Sequence, residues 1–388
     1  MIRKTVYIIS FILLTIGISG SSPYSAADNG LWDTSQKKLD EVFDVTSGQK
    51  LTLNIRMGGD VDISGWDKEQ VSVEVLIKGD DAEDVEVNFD KSGDGVVINA
   101  EYPDDDSYDA HANFKIMVPS RFDVEFTTMG GDAGLSNVNG KLEGTTMGGN
   151  VSLKGLGGNL EITTMGGDIK LNNSDVDGFV KTMGGDVRVE DVTGNVSAKS
   201  MGGDIVQKNV KRRDGDSVGE EVNVSTMGGD LVIDEAQNGA RLETMGGDIS
   251  ANYISRFFDG KTMGGDISVK AIDGWIKATT MGGEIEVKMV GDPAEGDRSV
   301  YLKSMGGDIT LIVPEGLSME LDLDIAYDER HENDVEIVSD FDFDEIRKED
   351  SDNDHSPGSH ILGTGSINGG KNRIKIKTVN SKIFLKKS

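Results

Sequence analysis

The chain has 388 residues but no cysteine, only four histidines, and few aromatics: three Trp, seven Tyr and twelve Phe. Without cysteine there are no disulfide staples, so packing or bound ions must hold the fold. There is also no thiol for lipid attachment. The histidines are His111, His331, His355 and His360. Three of them fall within 327–360, and none has the spacing of a metal set or a catalytic triad. No apolar run reaches the roughly 20 residues of a membrane-spanning helix, and no segment reads as a helix of more than about two turns. Positive charge is scarce, with 39 Lys and Arg against 69 Asp and Glu, a formal net charge of -30.

The first residues, MIRKTVYIISFILLTIGISGSSPYSAA, combine a short basic start, an apolar run and a small-residue end. This is the pattern of a secretory signal peptide over 1–27, cut after Ala27. The expectation is an exported, soluble mature chain, in the periplasm, on the cell surface or secreted, with no membrane insertion. Its removal takes away Arg3 and Lys4 and no acid, leaving a charge of -32. Such a surface repels nucleic acid and anionic lipid, which are therefore not expected partners.

Glycine is abundant, 51 of 388, against a usual ~7%. Met-Gly-Gly recurs at Met57, Met129, Met147, Met165, Met183, Met201, Met227, Met245, Met263, Met281 and Met305. From Met129 the spacings are 18, 18, 18, 18, 26, 18, 18, 18 and 24. Eighteen residues is therefore one structural unit, with insertions of eight and six at 211–220 and 291–298. The fourth and sixth residues after each Met are mostly apolar (Val151 and Leu153, Ile169 and Leu171, Ile267 and Val269) and alternate with polar ones. That is a strand with one buried face. A second short strand precedes most Met positions, as in Leu160-Glu-Ile162, after a Gly turn.

Two strands and two turns per unit cannot form a core alone, and stacking them gives an all-β parallel β-solenoid with 18-residue coils. The expected organisation is a signal peptide (1–27), an N-terminal β cap or degenerate coils (28–125), the regular repeat (126–326), an acidic excursion (327–360) and a C-terminal capping coil (361–388). Residues 377–385 align with 261–269, and degenerate terminal units suit an open solenoid end.

The repeated Thr182-Met-Gly-Gly-Asp-Val-Arg-Val189 unit, the entries Val118-Pro119 and Val313-Pro314, and VDISGWD at 61–67 resemble bacterial putative-adhesin domains, a family of exported β-solenoid proteins of unknown function. The resemblance covers nearly all of the mature chain. It implies the solenoid fold and brings no catalytic residues with it.

The Met file reads first as core filler, each side chain packing on its equivalent one coil away. An exposed adaptable stripe is the second reading. Soft-metal binding by thioether sulfur is a third, weakened because no Cys or His recurs with it. The glycines suit a tight turn with positive φ where coils stack closely. The Thr or Ser before each Met suits ladder hydrogen bonding. Carboxylates stacked at ~4.8 Å repel by roughly 1 kcal/mol per neighbour in water. The Asp file therefore needs either backbone N–H donors from its own turn or a row of Ca²⁺ ions, with Asp168, Asp186, Asp204, Asp230, Asp248 and Asp266 as ligands. No other cofactor is expected. Phe257 and Trp275 lie 18 residues apart with Tyr253 and Phe258 near, an aromatic turn suited to binding carbohydrate or protein.

The function expected from these features is a non-enzymatic binding scaffold or adhesin that engages carbohydrate or protein at the envelope. The alternative is a polysaccharide-active β-helix enzyme of lyase or hydrolase type, since two carboxylates flanking a sugar suffice for that chemistry.

Overall fold

Alternation along each unit dictates which side chains can be removed from water. In the computed structural model, which describes residues 36–103, 109–211, 221–349 and 358–388, Val151, Leu153, Ile169, Leu171, Ile267 and Val269 are all buried. Their intervening neighbours face out or lie at intermediate depth. The result is an all-β chain. The described residues contain no α-helix and a single 3₁₀ turn, Glu329–His331. No helix among them is long and apolar enough to cross a membrane.

Pairing between units is parallel and in register. Leu142 faces Leu160 and Ile169 faces Val187, an offset of 18. Where the chain carries an insertion the pairing skips it: Ile205 faces Leu231 and Ile285 faces Ile309, offsets of 26 and 24. Equivalent residues of successive coils therefore form straight files, in a solenoid-like stack whose core is a column of Val, Ile and Leu. The first insertion, 212–220, lies outside the described residues, as does the segment read as a signal peptide.

Stacking order departs from chain order at both ends. Lys50–Gly58 pairs in parallel with Asp123–Gly130 on one side and with Gly95–Glu101 on the other. Val61–Trp66 likewise lies between Ala133–Ser136 and His111–Pro119. The coil over 50–66 is thus second in the stack, and Gly95–Glu101 and His111–Pro119 lie outside it. Antiparallel strands Gln36–Asp44, Gln70–Lys78 and Glu86–Ser92 cover that end.

The C-terminal end repeats the device. Asn372–Val379 pairs with Val300–Lys303 and with Met319–Tyr327, and Ile383–Lys387 pairs with Ile309–Val313 and with Ile337–Ser339. Residues 361–388, expected as the capping coil, therefore include a coil slotted inside the stack. Residues 319–339 form the next coil out, part of it from the acidic stretch expected to leave the coil, and antiparallel Ser359–Ile367 and Glu345–Glu349 cover that end. Threading the last strands between earlier ones pairs both of their hydrogen-bonding edges, which an outermost layer cannot do.

Candidate functional site

The corner of each coil is Thr-Met-Gly-Gly-Asp, and the structure assigns each position a distinct task. Thr or Ser faces inward: Thr164, Thr182 and Thr280 are 0% exposed. A buried hydroxyl needs partners. Thr182 Oγ1 donates to the Gly167 carbonyl of the preceding coil at 2.8 Å, and Thr262 Oγ1 to that of Gly247 at 2.8 Å. In return the Thr262 hydroxyl accepts from Gly265 N–H of its own corner at 3.3 Å. This file stitches neighbouring coils together.

The second glycine is required by proximity. A Cβ on Gly167 would sit 1.9 Å from the Gly149 carbonyl oxygen, and one on Gly247 2.1 Å from that of Gly229. The expected positive φ is found at Gly131 and Gly149 of these corners. At the later corners the requirement is the approach of one coil to the next.

Asp is held by its neighbour, and its own turn is not the donor, contrary to the sequence-based expectation. Asp186 N–H donates to Asp168 Oδ1 at 2.8 Å, and the bond repeats from Asp204 to Asp186, Asp230 to Asp204, Asp248 to Asp230 and Asp266 to Asp248 at 2.7 to 2.8 Å. One oxygen of each proposed calcium ligand through Asp248, and of Asp266 through Glu284 N–H, thus accepts an amide proton from the coil above. These side chains are exposed. Among the described residues no three His, Cys, Asp or Glu side chains are grouped so as to hold a metal ion.

The Met side chains are not core filler. Met129, Met147, Met165, Met183, Met201, Met227, Met245, Met263, Met281 and Met305 are all exposed, between 38% and 55%. Counting forward from inward Ile162 and Thr164 by the strand period places Met165 outward, and the Gly-Gly bend then resets the parity so that Ile169 is again inside. Met57, at the swapped end, is buried at 3%. The ten exposed residues form one file. Backbone bonds such as Met245 N–H to Met227 O and Met263 N–H to Met245 O, both 3.3 Å, set consecutive members side by side. The Asp file borders it on one side. On the other, two residues before each Met, lie Lys181, Lys199 and Lys261, all exposed, among Thr, Ser and Glu.

The aromatic pair stacks as expected from the spacing, but it lies on the strands Ile249–Lys261 and Ile267–Thr279 and not on a turn, with both rings half-buried. Phe257 and Trp275 are register partners with ring centroids 5.0 Å apart and planes at 14°. Gly239 lies under the other face of Phe257, where a Cβ would meet the ring at 2.2 Å. The Arg241 guanidinium stands 5.3 Å from its centroid. Tyr253 is half-buried. Phe258 is 0% exposed and belongs to the core, a correction to its candidacy: in this strand the alternation turns Phe258 inward and Phe257 outward.

The described insertion, 291–298, is pinned by Arg298, which is 2% exposed. Its guanidinium donates to Val290 O at 2.5 Å, Glu295 O at 3.1 Å and Asp273 Oδ1 at 2.6 Å. A cavity of about 380 Å³ opens there between Ser255, Arg256, Asp273 and the loop acids Asp292, Glu295 and Asp297. Sequence reasoning missed a larger groove of about 520 Å³ lined by Asp60, Asp62, Glu74, Asn113, Lys115 and Asp132, among others. It exists because the swapped end brings distant strands together, and no local signal marks it.

Of the histidines, His331 bonds Asp328 at 2.8 Å and His360 bonds Asp324 at 2.7 Å. His355 lies outside the described residues. Asp324 is pushed up by burial, but hydrogen bonds from Lys377 and His360 outweigh this and leave its carboxyl below the usual range.

Solved structures that the chain matches include a putative cell adhesion protein from Clostridium sporogenes (9% identity, 91% of this chain and 100% of that one, TM-score 0.22). A putative adhesin from Bacteroides fragilis (15%, 72% and 98%, 0.23) and a putative lipid binding protein from Parabacteroides distasonis (10%, 90% and 96%, 0.24) are also among them. No protein of curated function matches the chain. The model of the Toastrack DUF4097 family matches residues 179–383. This is more than half of the sequence and takes in the Met corners from Met183 to Met305, so the chain belongs to the Toastrack DUF4097 family.

Proposed function

We infer that the chain is an exported, non-enzymatic scaffold of 18-residue solenoid coils that docks a partner at the cell envelope, with the Met file as its docking face. The observation that carries this reading is the exposure of ten register-aligned Met side chains. Coil stacking uses the inward Thr, the second Gly and the Asp. It has no need of an apolar group at the outward position, where any polar side chain would be solvated. An apolar file nine coil spacings long, roughly 43 Å at ~4.8 Å each, is a contiguous patch of the kind that marks an interaction surface. Thioether side chains suit it, since they adapt their shape to a partner.

One feature favours binding over catalysis. The repeat aspartates share one environment, each with an oxygen bound to the next coil's amide. Acid and base roles require a pair set apart from one another. The aromatic pair supports a carbohydrate partner, but Phe257 has both faces covered, by Gly239 and by Trp275. A protein surface is therefore the better-supported partner class.

The test is binding of the purified protein to envelope fractions of the producing cell by surface plasmon resonance. The combined variant Met183→Ser, Met201→Ser, Met227→Ser and Met245→Ser is compared with Phe257→Ala plus Trp275→Ala, each with its circular dichroism. At least a tenfold loss in the first with little change in the second is expected. Unchanged binding in the Met variant overturns the reading. Loss in the aromatic variant alone transfers the site to that pair.

A further inference from the structure

We propose that the exposed Met file is a linear binding site for soft monovalent d¹⁰ cations, Cu(I) or Ag(I), each held between the thioethers of neighbouring coils. The proposal uses the same side chains as the docking face but asks nothing of a partner.

Four observations carry it. The file contains ten thioethers and no other side chain, because glycines occupy the next two positions of every corner. Its members are exposed at 38% to 55%, so sulfur is accessible, whereas Met289 and Met319 are 0% exposed. Parallel pairing through Thr146 and Thr164, Thr164 and Thr182, Lys181 and Lys199, and Glu243 and Lys261 holds neighbouring corners one coil apart. Finally, two metal–sulfur bonds placed end to end, each about 2.3 Å in a zinc–thiolate site and somewhat longer to the larger silver ion, span roughly the ~4.8 Å coil spacing.

Thioether sulfur is a neutral, soft ligand that selects Cu(I) over hard cations. The bordering Asp file and the net charge of -30 concentrate cations at the surface without supplying soft donors. The absence of recurring Cys or His, which weakens a mixed-ligand site, is compatible with one built from Met alone. Ten Met taken in neighbouring pairs give five sites.

The experiment is isothermal titration of the purified protein with silver nitrate in chloride-free buffer, using two composition-matched variants. The alternating variant carries Met147→Leu, Met183→Leu, Met227→Leu, Met263→Leu and Met305→Leu, so no two remaining file members are neighbours. The block variant carries Met129→Leu, Met147→Leu, Met165→Leu, Met183→Leu and Met201→Leu, leaving five neighbours in a row. Met-to-Leu exchange at exposed positions preserves shape, and the four histidines are a constant background in all three proteins.

The expected result is five tight ions for the wild type beyond that background, two for the block variant and none for the alternating one. Equal binding by the two variants, or no binding by the wild type beyond the alternating variant, overturns the proposal. Either failure leaves the docking test unaffected, because no partner is present.

Discussion

Thr262 and Met263 are adjacent in the chain and opposite in placement: Thr262 is 1% exposed and Met263 38%. Hydropathy alone assigns them the other way round. The parity of the preceding strand, Ala278 and Thr280 or Ile162 and Thr164 facing in, contains the correct assignment. Counting back from the following Ile gives the opposite answer, because the Gly-Gly bend shifts the phase. The glycines can be told apart in the same way. A Cβ on Gly247 would lie 2.1 Å from Gly229 O, whereas one on Gly246 would lie 3.2 Å from Gly228 O. Gly247→Ala is expected to cost about 1 to 3 kcal/mol through the forced backbone shift, and Gly246→Ala distinctly less. Denaturant unfolding of the two variants checks the difference.

At the scale of the element, the regular coils were legible because their partners are 18 residues away and carry the same pattern. The end coils were not. Lys50–Gly58 meets Asp123–Gly130, and Asn372–Val379 meets Val300–Lys303, so each pairing spans more than 65 residues with strands of other pairings between. The C-terminal swap is fastened by Asp324, a side chain 15% exposed that contacts Lys377 and His360, both at 2.7 Å. Its folded carboxyl lies below the unfolded value of about 3.9. The group's contribution is therefore complete above that pH and is lost as pH falls through the depressed folded value. Asp324→Asn is expected to lower the melting temperature at pH 7, with the gap to wild type closing below about pH 4. Thermal melts of both proteins across pH 2 to 7 measure it.

For the whole molecule, a net charge of -30 without cysteine means that stacking works against self-repulsion. The Asp-to-amide bonds between coils offset part of this locally, and salt screens the remainder. Raising ionic strength is expected to raise the melting temperature, with CaCl₂ and NaCl equivalent at matched ionic strength. A clear excess for CaCl₂, reversed by chelator, would assign calcium to the Asp file. The stacking of Phe257 on Trp275 was legible from spacing alone, but its place within strands and the burial of Phe258 were not, nor was the groove beside Asp60, since it depends on which distant strands meet.

The repeated Met forms an outward face of the stack. Limited oxidation of the native protein with hydrogen peroxide, followed by peptide mass spectrometry, tests it most directly. Exposed thioethers convert to sulfoxides first. Rapid, comparable oxidation is expected at the ten file positions from Met129 to Met305, with protection of Met57, Met289 and Met319 and unchanged circular dichroism while the file oxidises. Protection of the file to the same degree as Met289 would contradict it.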